Sequence, residues 1–166
     1  HVRREQSRQY TGELYRTLLG HFRHEAGHYY FDRLVKNSDA LERFRALFGD
    51  ERKDYNAALQ DYYANKTITH RDPDLISHYA QAHPLEDWAE VWSHYLHMVD
   101  TLETAAAYGM QQGSELSDDI DQLLAKWSQV SMMLNSLNRS MGLEDAYPIV
   151  LSELTLKKLR FVHGLI

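Results

Sequence analysis

The sequence predicts a mainly α-helical domain, and three observations carry that prediction. Only three prolines and eight glycines punctuate 166 residues. Between them, apolar residues recur at steps of three and four rather than two, the period of an amphipathic helix. A composition of 43% hydrophobic and 25% charged residues supplies enough apolar surface for a buried core.

The elements follow in order. Leu14, Leu18, Leu19, Phe22, Tyr29, Leu34 and Val35 keep helical spacing, which predicts one long helix from about Glu13 to about Lys36, ending at Asn37-Ser38. Ser38 is the expected N-cap of a helix over Leu41 to Phe48, with Gly49 just past its end, and Asp50 the expected cap of a further helix through Tyr55, Leu59 and Tyr62. A connection is expected from about Asn65 to Pro73, then a short helical segment from Asp74 to Ala82. Pro84 suits the first turn of a second long helix running to about Tyr108. After a loop at Met110 to Glu115, Ile120, Leu123, Leu124, Trp127, Val130, Leu134 and Leu137 form an apolar stripe, read as core. Pro148 and Ser152 introduce a final helix through Leu156, Leu159 and Val162, with Gly164 as its stop.

Charge and composition exclude several function classes. A formal net charge of −6, with 24 acidic against 18 basic residues, argues against nucleic-acid binding, which needs clustered Lys and Arg. The absence of cysteine removes disulfides, zinc ribbons and thiol catalysis, so any metal must be held by His or carboxylates. No apolar run reaches the roughly 18 residues of a membrane span, and no apolar signal segment follows His1-Val2-Arg3-Arg4. The expectation is a soluble, cytoplasmic protein of one domain over residues 1–166, with no membrane partner.

Ten histidines and eleven tyrosines exceed what a helical scaffold needs, and they point to a site. His24-Glu25-Ala26-Gly27-His28 reads H-E-x-x-H in the middle of the first long helix. Residues i and i+4 lie one above the other, so both imidazoles can take adjacent corners of a zinc tetrahedron. Glu25 is about 100° round the helix, beside the metal rather than on it, where a general base for a zinc-bound water belongs. Gly27 costs about 1 kcal/mol relative to Ala inside a helix, which points to a backbone or ligand passing close by.

A shuffled chain of this composition contains H-E-x-x-H in roughly four cases of a hundred, so the motif needs a third ligand to be convincing. Glu86, Glu90, His94 and His97 form one stripe of the second long helix. The stripe is about 16 Å long, so only one end can reach the metal. Glu86, Glu90, His94 and His97 all remain candidates on this reading, and Asp87, about 100° off the stripe, is a further one.

His24 to His28 followed by Glu86-Asp87-Trp88-Ala89-Glu90 resembles the gluzincin arrangement of H-E-x-x-H with a downstream E-x-x-x-D/E, of lethal-factor type. The strings GHFRHEAGHYYFDRLV, FRALFGDER, AHPLEDWAEVWSHYLHMVDTLETA and LNRSMG resemble a bacterial zinc-binding metallopeptidase family over nearly the whole chain. The resemblance implies a Zn2+ cofactor held by His24, His28 and Glu86, with Glu90 standing behind a ligand histidine; the stripe places His94 behind the ligands as well. It implies Glu25 as general base and Tyr79, seven residues before Glu86, as a hydrogen-bond donor to the transition state. The substrate class it implies is a peptide or protein. Two departures stand out: zincins have a β-sheet lobe before the H-E-x-x-H helix, whereas 23 residues precede His24, and the family's N-terminal cysteine-rich ribbon is missing. The expected fold is therefore a zincin-like helical domain with two long helices bearing the metal, its β-lobe largely absent. The chain is then a C-terminal fragment or a short version.

The remaining polar residues read more plainly. His78 and His83 are expected to cap or sit at the surface, with donation to a substrate oxyanion as the other option. His21 is expected beside the ligands or in solvent, Tyr29, Tyr30, Tyr62 and Tyr63 at core and rim, and Asp100 and Glu103 on a solvated face. The leading expectation is a zinc metallopeptidase. The alternatives are an inactive zinc-clamped binding or regulatory module, and a helical interaction protein without metal.

Overall fold

The computed structural model describes residues 17–64, 72–110 and 119–166. Among them are six α-helices, one 3₁₀ turn and no strand: α1 (Leu18–Leu34), α2 (Leu41–Phe48), α3 (Tyr55–Ala64), the turn Tyr79–Ala82, α4 (Pro84–Ala107), α5 (Ile120–Ser140) and α6 (Glu153–His163). The mainly helical class is as expected. No helix among the described residues is long and apolar enough to cross a membrane. Two compact units divide the chain, one of the described residues up to Tyr95 with Leu151–Ile166, the other Leu96–Val150.

In the first unit, α1 starts where Thr17 Oγ1 accepts from the Gly20 amide at 3.0 Å. The expected start near Glu13 and the apolar Leu14 lie outside the described residues. Most of the apolar residues that announce this helix are not the ones it buries: Leu18, Leu19, Phe22 and Tyr29 are exposed, while Gly20, His24, Gly27 and Phe31 are buried, together with the announced Val35 at its C-cap. That buried row, at steps of four, three and four, faces α4. Ser93 Oγ donates to the Gly20 carbonyl at 3.1 Å and Trp88 Nε1 to the Gly27 carbonyl at 2.8 Å, so the two helices run antiparallel. A Cβ on Gly27 would stand 3.0 Å from Ala89 Cα and 3.2 Å from Trp92 Cβ. The predicted close approach at Gly27 is thus a helix backbone.

Two expected caps act elsewhere. Ser38 does not cap α2, whose Ala40 N-cap makes no side-chain bond. Instead Ser38 Oγ donates to the Leu34 carbonyl at 2.7 Å and accepts from the Ala40 amide at 3.2 Å, closing the end of α1. Asp50 does not cap α3. It holds the amide and guanidinium of Arg52 in the preceding turn, and Asp54 Oδ1 accepts from Ala57 N at 2.9 Å at the helix start. The delay has a cause in Arg45, whose guanidinium grips both oxygens of Glu51 at 2.9 and 2.6 Å and fixes that turn against α2. Gly49 ends α2 at φ +100, as its position predicted.

Phe31, Phe44, Phe48, Trp88 and Phe161 meet in one aromatic cluster, with ring centroids 4.8 to 6.4 Å apart. Each ring removed from water is worth about 1.5–3 kcal/mol, so this cluster holds α1, α2, α4 and α6 around a common core. Pro84 opens α4 as expected. Ahead of it, His83 Nδ1 accepts from the Leu85 amide at 3.1 Å and Nε2 donates to the Lys53 carbonyl at 3.1 Å, a capping role. On α6, capped by Ser152, the buried Lys158 donates to Asp87 at 2.6 Å. Burial raises the Asp87 carboxyl to about 6, against the pull of Lys158. Leaving one of two such buried charges unpaired costs about 3–5 kcal/mol, so the pair fastens α6 to the first turn of α4. Gly164 terminates α6 in right-handed geometry at φ −73, so its role there is not that of a left-handed stop.

In the second unit Leu123, Trp127 and Val130 are buried as the stripe predicted, whereas Leu137 is exposed. Asn135 exchanges two 2.8 Å bonds with the Tyr147 backbone, and the Tyr147 ring stands edge-on to Trp127 at 4.8 Å. Asp100 and Glu103 are exposed, as expected.

The Gly27 crossing gives a direct test. Valine has the better helix propensity, so any loss in Gly27→Val must come from forcing α1 and α4 apart. We expect a net destabilisation of about 1–3 kcal/mol in thermal or urea unfolding. Unchanged unfolding would contradict the close packing of α1 on α4.

Candidate metal centre

The crossing brings Glu86 of α4 against the two histidines of α1. His24, His28 and Glu86 each offer one ligand atom, and these atoms all lie within 4.8 Å of one another. His24 Nε2 is 3.2 Å from His28 Nε2 and 3.0 Å from Glu86 Oε2, and His28 Nε2 is 3.5 Å from Glu86 Oε1. Ligand atoms about 2.0–2.1 Å from a tetrahedral zinc stand about 3.3 Å from one another, and each imidazole nitrogen lies at close to that distance from the other and from one oxygen of Glu86.

Alignment supports the same reading. Glu86 Oε2 is buried and lacks a hydrogen-bond partner although His24 Nε2 is 3.0 Å away. The two atoms are close without pointing at each other, as donors aimed at a common centre are. His24 Nδ1 lies 2.6 Å from Glu90 Oε1. A carboxylate only accepts, so Nδ1 carries the proton and Nε2 of the neutral ring keeps its lone pair for a metal. The donor set of two imidazoles and one carboxylate suits zinc.

The charges fit as well. Burial works against the Glu86 carboxylate, but His24, His28 and Tyr55 hold it below the ordinary carboxylate range. Burial also opposes charge on His24, yet Glu86 and Glu90 outweigh it and raise its pKa from 6.5 to about 9. Two carboxylates converge on one imidazole, and a cation is what they favour.

The other predicted residues fall around this group. Glu25 is outside the set, with its side chain 59% exposed and Oε1 3.5 Å from His21 Nε2. Tyr79, in the 3₁₀ turn, has its ring 5.9 Å from the His24 ring. Burial, and then the charge of Glu86, raise the pKa of its hydroxyl. His94 is buried on α4, outside the group of three. Asp87 is turned to Lys158. Tyr62 bonds His78 Nδ1 at 2.6 Å, a rim contact. Sequence reasoning missed Tyr55, whose hydroxyl donates to Glu86 Oε1. It lies 31 residues from Glu86 in an ordinary amphipathic run, and no local signal marks it.

A family model described as "Putative zinc-binding metallo-peptidase" matches residues 1–165. Uncharacterized proteins of Mycobacterium bovis and of two strains of Mycobacterium tuberculosis are each 46% identical over 173 residues, which cover 99% of this chain and 51% of their own length. The chain therefore spans about half the length of the curated relatives it matches. No solved structure matches it.

The raised pKa of His24 predicts a linked proton. In protein stripped of metal, the stability this shift contributes is full below pH 6.5 and is lost as pH rises through about 9. At pH 7.5 zinc must displace the His24 proton, so calorimetric titration in two buffers of different ionisation enthalpy should show release of at least about one proton per zinc. No proton release would contradict the assignment of His24 as a ligand.

Proposed function

The chain belongs to the zinc-binding metallopeptidase family, and on that premise we propose that it hydrolyses peptide bonds, with zinc held by His24, His28 and Glu86 and Glu25 as general base. The observation that carries the reading is the spacing of the three ligand atoms, all within 4.8 Å, with an exposed glutamate beside them and not among them. A closed structural site would have a fourth protein ligand and no use for Glu25. Zinc, when bound, polarises a scissile carbonyl and lowers the pKa of water to about 7.

The chain's own residues supply the rest. Glu25 follows His24 directly, about 100° round α1, and its exposed carboxylate is free to take a proton at Oε and return it to the leaving amine. His21, one turn before it and 3.5 Å away, restrains that carboxylate. Glu90 keeps the proton on His24 Nδ1 and so fixes the orientation of the ring. Tyr79 stays a neutral phenol, able to donate to an oxyanion beside the His24 ring. The same zinc clamp in a binding module would keep the ligands and make Glu25 dispensable.

Glu25→Gln separates these readings. It keeps the size of the side chain but cannot accept a proton, so zinc content should stay at that of the unmutated chain while peptide cleavage by the full-length protein falls about 10²- to 10⁴-fold. Cleavage at the unmutated rate would remove the general-base assignment. An unmutated full-length protein that holds zinc and cleaves no peptide would favour the binding module.

A further inference from the structure

Tyr55 touches the metal carboxylate, and its place is fixed from several sides. Asp54 caps α3 immediately before it, with Oδ1 2.9 Å from Ala57 N. Two residues before Tyr55, the Lys53 carbonyl accepts from His83 Nε2 at 3.1 Å, which ties this turn to the start of α4. The Tyr55 ring stands edge-on to the His83 ring, centroids 5.1 Å apart. His83 therefore sets both the first turn of α4, which carries Glu86, and the tyrosine that reaches it.

The residue is 37% exposed, so its hydroxyl could have turned to water. It donates instead to Oε1 of Glu86, a residue only 1% exposed. The second oxygen, Oε2, has no hydrogen-bond partner and lies 3.0 Å from His24 Nε2. The two oxygens are thus made unequal. A carboxylate free at both oxygens can chelate zinc through both and fill a position that water and substrate need, whereas a phenol bonded to one oxygen favours coordination through the other.

We propose that Tyr55 is a positioning residue for the metal carboxylate: it holds Glu86 Oε1 so that Oε2 alone serves as ligand, keeping a coordination position open. The inference rests on the zinc site proposed above. Cobalt(II) is the probe, because the intensity of its visible absorption falls as its coordination number rises. The unmutated chain, Tyr55→Phe and His24→Ala are stripped of metal, checked for equal helical content and titrated with Co2+.

The expected result is one Co2+ bound by the unmutated chain and by Tyr55→Phe, with affinity about 10- to 100-fold weaker in the variant and a visible band of lower intensity. An unchanged band in Tyr55→Phe overturns the role of Tyr55 whatever the affinity, and leaves the zinc site standing. If the unmutated chain binds no Co2+, or His24→Ala binds it as tightly, the zinc site falls and the role of Tyr55 with it.

Discussion

The structure of the first unit depends on how closely α1 and α4 approach. Gly27 has no Cβ because Ala89 Cα and Trp92 Cβ occupy the space one would need, at 3.0 and 3.2 Å. That contact trades about 1 kcal/mol of helix propensity for a crossing tight enough to bring a carboxylate on one helix within 3.0 Å of an imidazole on the other. Trp88, one residue before Ala89, bonds the Gly27 carbonyl and fills the aromatic cluster on its other side. The same short stretch of α4 therefore sets helix spacing, core packing and the position of Glu86.

Close approach alone would leave charge in the wrong place. Glu86 and Asp87 are adjacent and both buried, and each is answered by a different partner. Asp87 turns to Lys158 of α6, and Glu86 turns to His24, His28 and Tyr55. The division follows from the helix, because neighbouring residues point about 100° apart and cannot share a partner. One carboxylate becomes a structural tie and the other a ligand, and Glu90, one turn on, is left to hold the far side of His24.

Much of this was legible in the sequence, and the limits are instructive. Helical periodicity put His24 and His28 on one face and Glu86, Glu90, His94 and His97 on another, and it was the family resemblance that singled out Glu86, the residue found with the two histidines. Gly27 announced a close backbone correctly, since glycine in a helix needs a reason. The buried face of α1 was not legible from hydrophobicity. Gly20, His24 and Gly27 make up most of it, residues chosen for approach and chemistry, with Phe31 at its end, and the apolar Leu18, Leu19 and Phe22 lie outside it. Ser38 and Asp50 each had the right chemistry for a cap and spent it on a nearer partner, a choice fixed by local turns that propensity does not see. Tyr55 was out of reach for a different cause, as its contact with Glu86 exists only once His83 has joined two distant turns.

The crossing of α1 and α4 brings together the atoms proposed to hold a metal between them. Anomalous X-ray diffraction from crystals of the purified chain, collected on both sides of the zinc absorption edge, tests that claim most directly. The expected result is a single zinc peak bounded by His24 Nε2, His28 Nε2 and Glu86 Oε2, with Tyr55 on Glu86 Oε1 and Glu90 on His24 Nδ1. A zinc peak coordinated by other residues, or zinc-loaded protein with no peak between these helices, would contradict it.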